Sequence, residues 1–244
     1  MARGIGEVGV VNQLPDWSVL LAGIVTQLGD MWFVLVLIGA FYVVTRRDPS
    51  LTQYPLRDCS FLLALALGAY ALTAVAKYAF GLPRPPGATI AVPPAWIPSI
   101  GTPVYESFVT ADSFGFPSGH ASKSTAVYGG VALVFEQWST RRRRALGATG
   151  VIFAVALSRV VLGVHYVVDV VVGFCLGGVF LWILWTVAGT DPRRSFAVTG
   201  VLGVLAVGVS STTAPLVVVV ASLTGIGMWE RWGTVRQDYD GALR

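Results

Sequence analysis

The chain has 244 residues, of which 55% are hydrophobic and only 12% charged, with a mean hydropathy of +0.70. A soluble domain carries about 25% charged residues, so this composition excludes one and points to an integral membrane protein. The formal net charge of +4 is no nucleic-acid signal. The basic residues fall in short clusters between apolar runs, where membrane orientation accounts for them.

The N-terminal stretch MARGIGEVGVVNQLPDW lacks the basic-then-apolar pattern of a cleavable signal, and no processing is expected. The first apolar stretch, 18–45, is longer than a ~30 Å hydrocarbon core requires. It predicts an interfacial helix over 16–28 and a span over 29–44, followed by Arg46 and Arg47. A second span is predicted over 56–80. The connection 82–116 then carries seven prolines among Trp96, Tyr105, Phe108 and Phe114. That is a membrane-surface loop with its aromatics at headgroup level.

A third span starts near Gly119 and stops before Arg141, Arg142, Arg143 and Arg144; a fourth covers 146–162 and a fifth 166–188, followed by Arg193 and Arg194. The stretch 196–229 is too long for one crossing, and Ser210, Ser211, Thr212, Thr213 and Pro215 predict a turn that makes it a hairpin. The expected fold is therefore an all-α polytopic membrane bundle of six or seven transmembrane helices, a single domain over 1–244. Residues 1–28 form an N-terminal interfacial segment and 81–118 an active-site loop. Cys59 and Cys175 sit in or beside apolar runs without metal-like spacing and read as small apolar residues. The arginine clusters, with Arg231 and Arg236, all fall on one side, which the positive-inside tendency makes cytoplasmic. The 81–118 loop and the polar span ends then lie outside.

Those outer ends hold the chemistry. Lys77 ends the second span and Arg84 lies between Pro83 and Pro85, which fix it in an extended backbone. Ser118 and Gly119 begin the third span with His120 in its first turn, Arg159 follows Ser158 near the end of the fourth, and His165 and Asp169 are spaced i, i+4. Singly, each has an ordinary reading: a snorkelling cation, a turn with a helix cap, a structural His–Asp bond. Together, three chain segments meet at one membrane level, and the chain's two histidines both fall there. Cations and backbone N–H groups at a helix start suit a phosphate. A histidine fixed by a carboxylate suits a nucleophile, and a second histidine a proton donor. The pattern predicts phosphoryl transfer through a phosphohistidine on His165, with His120 as acid and then base, and Lys77, Arg84, Arg159, Ser118 and Gly119 on the phosphate oxygens. Lys123 reads equally as a supporting cation or a headgroup contact. The acidic residues are scattered, with no carboxylate pair to hold a divalent ion, and no metal or cofactor is expected.

The stretches KYAFGLPRP (77–85), PSGH (117–120) and SRVVLGVHYVVD (158–169) resemble the K-x6-RP, PSGH and SR-x5-H-x3-D signatures of the type-2 phosphatidic acid phosphatase superfamily. The resemblance implies the same roles: the residue matching His165 as nucleophile, that matching His120 as acid, that matching Asp169 as orienting carboxylate, the others as phosphate ligands. The superfamily includes soluble vanadium haloperoxidases, a reading that so apolar a chain makes remote. Membrane relatives have a six-helix core whose third helix ends in the first signature; here that signature closes the second full span. The substrate expected first is a polyisoprenyl diphosphate cleaved to its monophosphate. Phosphatidate or phosphatidylglycerophosphate, transfer to an alcohol acceptor, and a non-catalytic transporter or scaffold follow as alternatives. The expected location is the plasma membrane, with the site outside, and the excess of arginine over lysine points to a prokaryotic source.

Overall fold

The computed structural model describes residues 3–242 apart from 12, 49 and 211, with side chains described up to 231. Among these residues every regular element is helical. A short α1 (Glu7–Val11) leads into α2 (Asp16–Thr26), a 3-10 turn (Gln27–Gly29) and α3 (Met31–Arg47), with a 55° bend across Asp30. The break expected between an interfacial helix and a span is thus present. Next come α4 (Pro55–Phe80), α5 (Thr102–Val109), α6 (Gly119–Val134) and α7 (Arg141–Val161). They are followed by α8 (Val167–Ala188), α9 (Pro192–Val209) and α10 (Leu216–Ala242).

By length and hydropathy four of these, α4, α7, α8 and α9, can cross a membrane, and the bent α2–α3 pair makes a fifth. The helix starting at Gly119 has 16 residues, about 24 Å, short of a full hydrocarbon core. The hairpin falls where expected, between α9 and α10, although Ser211 of its turn and the side chain of Arg236 lie outside the described residues.

α4 is the central post, packed against α3, α6, α8 and α9. Ala64, Ala66, Ala69 and Ala71 are fully buried along it, so neighbours approach from several sides and pack onto Phe61, Leu62 and Leu65. The contact between α6 and α8 is closer still. A Cβ on Gly173 would lie 2.7 Å from the Ser118 carbonyl oxygen, and one on Gly177 would overlap the Ser122 carbonyl. Only glycine permits that approach, and it brings α6, which carries His120 in its first turn, onto the helix that carries Asp169.

Two stretches differ from expectation. The arginine run belongs to α7, which begins five residues earlier than the span read from hydropathy. Thr140 caps it, and Arg144 folds back to donate to the carbonyls of Ala132, Glu136 and Ser139, satisfying the last turn of α6 and the chain beyond it. The proline-rich loop contains α5, whose Pro103 sits at the helix start where proline is tolerated. Tyr105 is therefore buried, whereas Trp96 stays exposed; Val109 packs on Gly23 of α2.

Candidate active site

Arg84 is the best-fastened residue of the site. Its Nε donates to the carbonyl oxygens of Asp112 (2.6 Å) and Ser113 (3.1 Å), and its Nη1 donates to the Val164 carbonyl at 2.9 Å. The same Nη1 lies 3.0 Å from Nε2 of His165. A guanidinium has donors only, so Nε2 must present its lone pair, and in the neutral ring the proton sits on Nδ1. Lys77, in the last turn of α4, makes a long 3.5 Å contact with the Ser113 hydroxyl. Lys77, Arg84, Ser113 and Phe114 line a cavity of about 740 Å³ that includes neither histidine but reaches His165 through Arg84.

His165 lies in the turn before α8, not on the helix, so the i, i+4 spacing does not carry its contact with Asp169 as a shared helical face. Nδ1 is 3.5 Å from Asp169 Oδ2, a loose contact without hydrogen-bond alignment. The reason is competition. Asp169 Oδ2 accepts from the Tyr166 backbone N–H at 3.0 Å, and Arg3 reaches Oδ1 at 3.1 Å and Oδ2 at 3.4 Å. Arg3 also donates to the Pro83 carbonyl (2.8 Å) and lies over the rings of Phe116 and Tyr166. The His165 imidazole is buried. Burial first, then the charges of Arg84, Arg159 and Lys77, push its ionisation well below the ordinary histidine range. The ring is neutral near pH 7, as a nucleophile requires.

The second histidine is held differently. Ser118 accepts from the Ala121 N–H and donates its own N–H to the Asp169 carbonyl (2.9 Å), joining the start of α6 to α8. Gly119 follows, with Thr73 of α4 close by, and then His120, whose Nε2 lies 3.2 Å from Asp30 Oδ1 at the α2–α3 break. Arg159 is buried at 4% exposure; Nη1 donates to the Thr26 hydroxyl (2.8 Å) and Nε has no hydrogen-bond partner among the described residues. Its charge acts on both imidazoles. Lys123 is buried beside Asp30, which removes the headgroup reading.

All eight expected site residues therefore fall at one end of the bundle, at span ends or in the turns joining them. Arg46, Arg47, the 141–144 run, Arg193 and Arg194 occupy the opposite helix ends. Arg3, Thr26, Asp30 and Ser113 were not read from the sequence. Asp30 had a signal, since a lone acid amid apolar residues is costly without a partner; Arg3 had none.

These groups can grip a tetrahedral oxyanion with cations while offering one basic nitrogen and one protonatable ring. The chain is similar to known proteins. Over 103 residues the chain is 36% identical to phosphatidylglycerophosphatase B of Bacillus subtilis, covering 40% of this chain and about half (49%) of that protein. A crystal structure of a transmembrane PAP2 type phosphatidylglycerolphosphate phosphatase from Bacillus subtilis superposes with a TM-score of 0.56 at 25% identity, over 74% of this chain and 81% of that one. The PAP2 superfamily profile matches residues 58–193, which include all three signature stretches and more than half of the chain. By that match and the helical architecture that accompanies it, the chain belongs to the PAP2 superfamily, the type-2 phosphatidic acid phosphatases of membranes.

Proposed function

We propose that the protein hydrolyses the phosphomonoester of a membrane lipid, with phosphatidylglycerophosphate as the substrate class. The observation that carries the reaction is the 3.0 Å contact of Arg84 Nη1 with His165 Nε2, which puts an oxyanion-binding cation and a nucleophilic lone pair at one point. Nε2 attacks phosphorus as the P–O bond to the lipid breaks, and the departing oxygen takes a proton from His120. Water then attacks the phosphohistidine and gives its proton to His120; the P–N bond breaks, its electron pair returns to Nε2, and inorganic phosphate leaves. Arg84, Arg159, Lys77, Ser118 and the Gly119 amide hold the equatorial oxygens. The carboxylate of Asp30 faces His120 and that of Asp169 is occupied by Arg3 and the Tyr166 N–H, which fits a reaction without a divalent ion. The site opens on the extracytoplasmic face of a plasma-membrane protein with six or seven crossings.

The substrate reading differs from the isoprenyl diphosphate expected first from sequence. The sequence match and the structural match in Bacillus subtilis both carry a phosphatidylglycerophosphate phosphatase name, which supports the lipid monophosphate alternative. Purified protein in detergent with a chelator is expected to release phosphate from phosphatidylglycerophosphate about 10-fold faster than from a prenyl diphosphate at equal mole fraction, as differential transition-state binding would give. A reversed preference overturns the substrate, and no release from either overturns the reaction.

The pH profile is expected to be bell-shaped, with His165 neutral and His120 protonated. Because the surroundings of His165 lower its ionisation, the acid limb should lie well below pH 6.5, and activity should survive as the pH falls through that value. An acid limb in kcat/KM centred above 6.5 would contradict the assignment of the nucleophile.

A further inference from the structure

Asp30 stands at the N-cap of α3 with extended backbone angles (φ −76°, ψ 151°), where an aspartate ordinarily accepts from the first free N–H groups of its own helix. It makes no such bond. Its Oδ1 faces His120 Nε2 at 3.2 Å, an ion-pair distance off the line of an ideal hydrogen bond, as catalytic contacts often are before substrate tightens them. The break that presents it is fastened to the site on each side. Thr26 accepts from Arg159, and the Leu28 carbonyl accepts from the Tyr128 hydroxyl at 2.7 Å. Gly29 lies so close to α6 and α7 that a Cβ there would stand 3.0 Å from the His120 ring and 2.6 Å from Val155. Neither Asp30 nor its neighbours lie within the 58–193 family match.

We propose that Asp30 is the positioning residue of His120, holding Nε2 and stabilising the protonated ring so that Nδ1 is left to exchange the proton with the leaving oxygen and with water. This rests on the phosphatase reading above, in which His120 is the acid. The charged groups around the ring make a carboxylate necessary. Arg159 reaches it from α7 and Lys123 from one turn along α6, and both are buried cations that oppose a third positive charge. His165, in the turn before α8, is neutral and adds no charge, and Lys77 lies at the end of α4, which packs on α6. Asp30 is the carboxylate that faces His120, and its charge acts against that repulsion. In the first step Nδ1 loses its proton as the P–O bond breaks; in the second it regains one from water. Asp30 stays ionised throughout.

Asp30→Asn keeps the shape and removes the charge. The test compares two substrates in one preparation: a lipid alkyl phosphate, whose leaving oxygen needs a proton, and p-nitrophenyl phosphate, whose leaving group does not. Steady-state release from the alkyl phosphate is expected to fall about 100-fold, the low end of what general acid catalysis contributes. The first-turnover burst of nitrophenolate should change by less than about threefold. The ratio of the two is independent of the fraction of protein that folds. The alkaline limb of the alkyl-phosphate profile should move to lower pH, and Asp30→Glu should restore most of the rate. An equal loss on both substrates, or an unmoved alkaline limb, makes Asp30 a fold residue and overturns the proposal. Absence of phosphate release from the unsubstituted protein would instead overturn the phosphatase reading.

Discussion

His165→Ala is expected to lower phosphate release by about 10⁴-fold or more, because in the proposed mechanism His165 forms the covalent intermediate, and removing a nucleophile forfeits the whole two-step route. The measurement is turnover on the preferred lipid together with trapping of labelled phosphoenzyme. A phosphoramidate is stable to alkali and labile to acid, so labelled protein with that profile should appear in the unsubstituted chain and vanish in the variant. Retention of more than about a tenth of the rate would remove His165 from the covalent role. The buried position makes a fold control necessary, and His165→Gln, which refills most of the ring's space, should be equally inactive.

Arg84→Lys carries the second largest expected loss, about 10²- to 10³-fold in kcat/KM, the range for removing an oriented donor from a developing oxyanion. Charge is conserved in this variant, so the loss isolates geometry. The guanidinium spans the carbonyls of Asp112, Ser113 and Val164 while its Nη1 meets His165, and a single ammonium cannot fill those positions at once. Arg84→Ala supplied with guanidinium ion in solution should regain part of the lost rate. A lysine variant within about threefold of the original would mean that charge alone matters at this position.

Much of this arrangement was legible in the chain because its parts are polar residues in apolar surroundings. Lys77, Arg84, His120, Arg159, His165 and Asp169 each stand out against a span or a proline-rich turn, and alternation of spans sends them to one end. The helix break near Asp30 was legible from length alone. Three features were not. The early start of α7 depends on Arg144 turning back onto α6, a tertiary contact that hydropathy cannot register. α5 depends on a partner helix for Tyr105 and Val109, in a stretch whose prolines argue locally against helix. Arg3 is far from Asp169 in sequence, and nothing in its own neighbourhood distinguishes it from a residue at any chain terminus.

The glycines at 173 and 177 set α8 against α6 through main-chain atoms, with Ser118 and Ser122 on the other side of the contact. The separation between His120 and His165 is therefore written into two backbones and does not depend on how neighbouring side chains fill space. Core substitutions elsewhere, such as on the α9–α10 hairpin, can drift through evolution at a cost in melting temperature while leaving the chemical step untouched. At these two glycines there is no such latitude, because the smallest added group would wedge the start of α6 away from α8.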